Sequence, residues 1–255
     1  MKRKTKILIM LLALALTLPL LFAAANLSDT GRVISWGVSP NKQERTPQIP
    51  DGSGTMMEKH GAIFTGDTSL KKVYFTFDLG YEAGYTAEVL DILKEHNIQA
   101  VFFLCGNYLK ETELMQRMIS EGHLIGNHTD RHKDLPSLDN DGITKDIADF
   151  KTQMDTQYPN TTMKFFRPPS GKFCERTLRI AKEQSYTTMM WSIAIVDWGK
   201  TPIDATASAK KITERIHPGA IILLHITNSG MPKMLRELLP QVIDKGYEVG
   251  RVSDI

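Results

Sequence analysis

From Lys71 onward, short continuous apolar runs alternate with segments whose apolar positions recur every three or four residues. The runs "KVYFTFD", "QAVFFLCG", "HLIGN", "MKFFR", "YTTMMWSIAIVD", "GAIILLH" and "YEVGRV" predict seven strands. Between the first two, "YTAEVLDILKEHN" places Val89, Ile92, Leu93 and His96 at helical spacing. "ETELMQRMISEG" repeats the pattern with Leu114, Met115, Met118 and Ile119 inward, and Gly122 stops it. "DGITKDIADFKTQMDTQYP" carries Ile143, Ile147, Phe150 and Met154 and ends at Pro159. "CERTLRIAKEQS", "DATASAKKITERI" and "MPKMLRELLPQVIDKG" complete the helices, the last with an expected kink at Pro240. Strict alternation implies an α/β fold with a mostly parallel sheet and helices outside it. Continuous apolar strands imply that both sheet faces are buried. "DLGYEAG", after the first strand, is not a G-x-G-x-x-G phosphate loop. A closed barrel is therefore favoured over an open nucleotide-binding sheet.

Ahead of this region the rhythm is lost. Residues 26–70, with "SWGVSPNKQERTPQIPDGSG", hold no period and read as an extended arm, with Trp36 pinning it to the domain. Residues 1–25 are different again. "MKRKTK" carries four basic residues, and residues 7–25 carry no charge and end in "AAA". That order reads as an export signal or an N-terminal anchor. The apolar run is within the range of about 17–25 residues that spans a bilayer. Either way residues 71–255, the expected catalytic domain, lie outside the cytoplasm, and membrane contact is expected only through the N-terminal segment.

Composition changes little. Hydrophobic content of 42% and charged content of 24% suit a packed globular chain. The net charge of +2 counts the four N-terminal basic residues, and without them the remainder carries −2. Nucleic acid is therefore not an expected partner. Two cysteines make no disulfide scaffold, and Cys105, in "AVFFLCG", reads as a buried thiol. A monomer is the expected state.

The chemistry collects where the strands end. The first strand ends in Asp78, the third runs into His128 and His132, and the fourth ends in Arg167. The fifth ends in Asp197 and Trp198, and the sixth in His225. All are C-terminal ends, the face on which α/β barrels build their sites. Each residue alone has a bland role: a helix cap, a surface charge, a core histidine. Their joint placement does not follow from those roles. His128-x-x-x-His132 has the spacing of two imidazoles on one side of a helical turn. Two such imidazoles can share a divalent ion, and zinc, cobalt, nickel, iron and manganese are all chemically open.

In order, "TFDLG", "HTDRH", "RPPSG", "SIAIVDW" and "LLH" resemble the five motifs of the polysaccharide deacetylase (NodB-homology) family, over residues 71–255. "ISWG", "GDTSLKKVYFTFD", "GYEAGYT" and "HPGAIILLH" resemble its delta-lactam-biosynthetic branch, which acts on muramic acid in spore-cortex peptidoglycan. The resemblance implies a distorted (β/α)7 barrel and metal-assisted removal of acetyl from an N-acetyl sugar of peptidoglycan glycan strands. It implies that Asp78 is the general base, that His128 and His132 hold the metal (Zn, Co, Mn or Mg), and that Arg167 orients Asp78. His225 would be the general acid, tuned by Asp197. Trp198 and Leu223 would line the pocket, with Pro169 and Gly171 of "RPPSG" also in the substrate set.

Independently of the resemblance, amide hydrolysis needs an activated water and a proton for the leaving amine. An arginine beside Asp78 would keep it ionised, and a carboxylate beside His225 would keep that ring protonated.

Two positions depart from the family pattern. Most members carry a second aspartate, the third metal ligand, directly after the base; the delta-lactam branch usually has Asn there, and here it is Leu79. Ala194 likewise stands where many members have an aspartate. A weakly held metal is expected, with Asp78 or Glu82 as a substitute ligand. Three other readings remain open: a general N-acetylglucosamine or chitooligosaccharide deacetylase, a degenerate glycan-binding barrel, and a glycosidase using Asp78 and Asp197 as its two carboxylates.

Overall fold

The computed structural model describes residues 31–39, 44–251 and 255. The N-terminal signal or anchor segment, 1–25, lies outside the described residues. In chain order the strands are β1 (Ile34–Ser35), β2 (Lys72–Leu79), β3 (Val101–Leu104), β4 (Leu124–Asn127), β5 (Phe165–Phe166), β6 (Lys172–Phe173), β7 (Thr187–Thr188), β8 (Ile193–Ala194), β9 (Ala220–Leu224) and β10 (Glu248–Val249). The helices are α1 (Ser53–His60), α2 (Thr86–Glu95), α3 (Thr112–Ser120), α4 (Asn140–Gln157), α5 (Glu175–Glu183), α6 (Ala205–Thr213) and α7 (Met231–Asp244). No described helix is long and apolar enough to cross a membrane.

The main sheet is parallel and runs β7-β5-β4-β3-β2-β9-β8, with β10 pairing the start of β2. β2 is central: Val73 to Phe77 pair with β9, and Thr76 to Leu79 with β3. The predicted strand "YTTMMWSIAIVD" is split. Its first part, β7, pairs with β5 at one edge of the sheet, and its second part, β8, pairs with β9 at the other. One segment thus joins both edges and curls the sheet into the distorted (β/α)7 barrel.

Side chains on β2 alternate between two layers. Val73, Phe75, Phe77 and Leu79 join Val89, Leu90, Ile92 and Leu93 of α2 in the layer between sheet and helices. Tyr74 packs inside the barrel with Val101, Phe103, Phe165, Met189 and Ile221. The helical faces match the periodicity on α4, where Ile143, Ile147, Phe150 and Met154 are all buried. On α3, Met115 and Met118 are buried while Leu114 and Ile119 are half-buried against the core. His96, expected inward, is exposed at the C-terminal end of α2. α7 continues as one helix through Pro240, which is exposed.

The arm is not extended throughout. β1 pairs antiparallel with β6, and α1 forms between two left-handed glycines, Gly52 and Gly61. The expected pin is present: Trp36 is buried, and its indole N–H donates to the Trp191 carbonyl at 2.9 Å. The arm also enters the gap between β7 and β8. Ile63 N donates to Thr188 O, and Met190 N donates to Ile63 O.

Candidate active site

The ends of the parallel strands converge because the barrel brings their C-terminal tips to one rim. Asp78 is the penultimate residue of β2 and lies on the inner-facing side of the alternation. His128, Arg167 and His225 directly follow β4, β5 and β9, and Asp197 lies three residues past β8.

Arg167 is fully buried and held from every side. Its Nη1 donates to Asp78 Oδ1 at 2.7 Å and to Thr76 Oγ1 at 2.9 Å. Its Nε and Nη2 donate to the carbonyls of Met189 (2.9 Å) and Met190 (3.2 Å), and its guanidinium lies 4.0 Å from the centre of the Phe103 ring. The irregular chain between β7 and β8 therefore has a function in the site: its free carbonyls seat the arginine. Burial alone would raise the Asp78 carboxyl, but the charge and hydrogen bond of Arg167 and the charge of His225 help to offset it, and the pKa lies below the ordinary carboxylate value.

His225 Nδ1 donates to Asp197 Oδ1 at 2.8 Å, and its backbone N–H donates to Asp197 Oδ2 at 2.7 Å. Burial would lower the His225 pKa, yet the hydrogen bond and charge of Asp197, with the charge of Asp78, raise it above 6.5. The base is thus pushed to be charged and the acid to be protonated, the opposite states that the two roles require. Asp197 is fully buried with both oxygens engaged by His225, which removes it as a glycosidase carboxylate.

The histidine pair does not sit on a helical turn. Thr129 and His132 both have left-handed backbones (φ 68° and 52°), and the loop is tied by Thr129 N to Asn127 Oδ1 and His132 N to Thr129 Oγ1. The rings still meet, with centres 5.0 Å apart. His128 Nδ1–H donates to the Arg167 carbonyl at 2.8 Å. A carbonyl can only accept, so the Nε2 lone pair is left free, 3.6 Å from Asp78 Oδ2. Burial pushes the His128 pKa down to about 4, so the ring is neutral at neutral pH.

Glu82 is committed elsewhere. Its carboxylate accepts from the Gly84 and Thr86 backbone, the Thr86 hydroxyl and the Tyr108 hydroxyl, and so caps the start of α2. The remaining expected site residues are spread. Leu223 lies inward on β9 next to Thr76, and the Trp198 ring, largely exposed, stands 5.4 Å from the His225 ring. Pro169 is buried two residues after Arg167. Gly171 faces the arm: its carbonyl accepts from Trp36 N at 2.9 Å, and a Cβ there would lie 2.6 Å from the Trp191 ring. Sequence reasoning missed Thr76, although it lies two residues before Asp78 on the same strand face. It also missed the two methionine carbonyls, which carry no side-chain signal.

Comparison with known proteins decides the family. The family described as Polysaccharide deacetylase matches residues 65–189. The chain is 33% identical over 224 residues to the peptidoglycan-N-acetylmuramic acid deacetylase PdaA of Bacillus subtilis, covering 87% of this chain and 85% of that one. The chain belongs to the polysaccharide deacetylase family. It is a hydrolase acting on carbon–nitrogen bonds, a carbohydrate esterase of family 4. The solved structure of PdaA superposes with a TM-score of 0.81 at 32% identity, covering 88% of this deacetylase and 96% of that chain. A peptidoglycan-N-acetylglucosamine deacetylase of Bacillus cereus is 33% identical over 195 residues, 74% of this chain and 70% of its own. A family 4 pseudoenzyme from Bacillus anthracis also matches, with a TM-score of 0.70 at 27% identity, over 76% of this chain and 68% of that one.

Deacetylases of this family are generally metal-dependent, and the donors here can be tested against that. Leu79 is fully buried in the layer under the helices, so the position after the base offers the rim no ligand. Among the described residues, no three His, Cys, Asp or Glu side chains are placed to hold an ion together. Asp78 and Glu82 therefore do not complete a three-ligand set. What remains is a neutral His128 with Nε2 free and His132 beside it. That set fits an ion held by two imidazoles and completed by water and substrate oxygen.

Two outcomes follow. Asp197→Asn is expected to move the alkaline limb of the kcat/KM profile to lower pH, because the anion that raises His225 is gone. In calorimetric titration, divalent metal is expected to bind weakly, with His128→Ala abolishing binding and Glu82→Gln leaving it unchanged.

Proposed function

We propose that this deacetylase removes the acetyl group from N-acetylmuramic acid in peptidoglycan strands, the step that precedes muramic delta-lactam formation in spore cortex. The observation that carries the chemistry is the pair of couples, Asp78–Arg167 and Asp197–His225, at one barrel rim. Similarity to PdaA over 85% of that protein's length supports the muramic substrate. Residues 71–255 act as the catalytic domain, residues 26–70 as its arm, and residues 1–25 as the segment that exports or anchors it.

Asp78, kept ionised, takes a proton from water at the acetyl carbon. The water oxygen forms a bond to that carbon while its C–N bond breaks. His225, protonated and oriented through Nδ1, delivers a proton from Nε2 to the departing nitrogen. Acetate and a free sugar amine result. A divalent ion bound by His128 and His132 would polarise the acetyl carbonyl and the water. Asp197 and Arg167 touch neither reacting bond and act by fixing charge and orientation.

Similarity to the Bacillus cereus protein supports a second reading, deacetylation of N-acetylglucosamine units in peptidoglycan. Mass spectrometry of peptide-stripped glycan strands, treated with the protein and one divalent metal at a time, separates the two. Acetyl loss on muramic acid is expected, and further loss of water would show that the protein also closes the lactam. Acetyl loss confined to glucosamine would favour the second reading. Binding without any loss would mark a barrel that no longer cuts.

A further inference from the structure

All three tryptophans of the chain line one cavity. Its volume is about 390 Å³, and it lies between the arm and the chain from β8 to α6. Trp36 comes from the arm, Trp191 from the segment crossing the barrel gap, and Trp198 from the loop after β8. Trp198 also touches His225, ring centre to ring centre 5.4 Å, so the cavity adjoins the catalytic rim.

The charges around it are of one sign. Arg45, Lys211 and Arg215 line the cavity, and among the described residues no aspartate or glutamate does. Arg215 is tied to the Ala194 carbonyl at 3.3 Å. Arg45 and Lys211 are exposed, and neither has an ion-pair partner among the described residues. A lysine in the last turn of α6 suits that helix's dipole whatever lies beside it. The dipole gives no reason for Arg45, from a separate segment, to converge on the same space.

Flat aromatic walls accept the apolar face of a sugar ring, and unpaired cations accept an anionic group. The volume falls within the range of about 300–1,000 Å³ found for small-ligand sites. We propose that this cavity is a subsite, beside the catalytic rim, for a carboxylate-bearing sugar of the glycan, with Arg45, Lys211 and Arg215 receiving the carboxylate. In a peptide-free strand the sugar with a free carboxylate is muramic acid, through its lactyl group. N-acetylglucosamine has no such group. The inference rests on the glycan-deacetylase reading and adds to it the residues that would select an acidic strand.

The test is binding, kept apart from turnover. Full-length Asp78→Asn protein is titrated with a peptide-free muramic-acid tetrasaccharide and with neutral chitotetraose, and tryptophan emission reports occupancy. The carboxylated sugar is expected to bind at least about tenfold more tightly at low salt. Arg45→Gln combined with Lys211→Gln is expected to erase most of that ratio, and both changes lie at exposed positions. If Asp78→Asn is poorly folded, wild-type protein stripped of divalent metal replaces it. Equal affinity for the two sugars, or a ratio that survives the double substitution, overturns the subsite. Failure to release acetate from any glycan, with the ratio intact, would overturn the catalytic reading and leave the subsite standing.

Discussion

Asp78→Asn is expected to lower kcat by about 10²–10⁴-fold, the contribution of a positioned general base. The asparagine keeps the shape and an oxygen for Arg167 Nη1, which the carboxylate accepts at 2.7 Å. It loses the charge, and with it the capacity to take a proton from water. Substrate affinity is expected to change little, so the loss appears in kcat and leaves KM nearly as it was. The acid limb of the wild-type profile lies below the ordinary carboxylate range, since the groups around Asp78, Arg167 foremost, together outweigh the effect of burial. The alkaline limb lies above 6.5, where His225 gives up its proton. A plateau therefore spans neutral pH, and steady-state acetate release across pH measures both limbs.

The largest stability effect is expected at Arg167. Arg167→Met removes a fully buried cation and leaves the Asp78 anion, the Thr76 hydroxyl and two methionine carbonyls without their donor. Breaking one side of such a pair costs about 3–5 kcal/mol, a large share of the ~5–15 kcal/mol that holds a domain together. Chemical denaturation reads that loss directly. The sign with pH is also defined. Asp78 has a lowered folded pKa, so its stabilisation is present above the unfolded value and fades as pH falls through the folded one. With Arg167 gone, burial dominates, the Asp78 pKa rises, and the acid limb of activity moves toward neutral. Arg167→Lys restores charge without the planar set of donors that reaches Asp78, Thr76 and both carbonyls, and so rescues the pH profile better than the stability.

The strand tips were legible because each charged residue ends an apolar run, and a parallel barrel brings such ends together. The tilt of individual side chains was not. Leu79 was visible as a missing ligand, but its burial under α2 follows from the two-residue alternation of β2. Glu82 looked like a spare ligand four residues past the base. Its donors come from the start of α2 and from Tyr108, which is 26 residues away. The histidine spacing suggested a helical turn, yet left-handed Thr129 and His132 bring the rings together by another route. Helix α1 was hidden in a segment read as linker, since Gly, Pro and Ser dominate around it and only Ser53 and Met57 are buried. The division of the fifth strand into β7 and β8 needs the neighbouring strands to be seen. So does the meeting of Trp36 with Trp191, 155 residues away in sequence.

The central claim is that two oppositely charged couples at one rim hydrolyse an N-acetyl amide, with a weakly held ion on two histidines. Acetate release from peptide-stripped glycan strands, measured on metal-stripped protein before and after adding a divalent ion, tests it most directly. Release is expected to rise with metal and to saturate only at high metal concentration. Asp78→Asn and His128→Ala are each expected to abolish that release. Release undiminished in both variants, or none from the wild type with any metal, would contradict it.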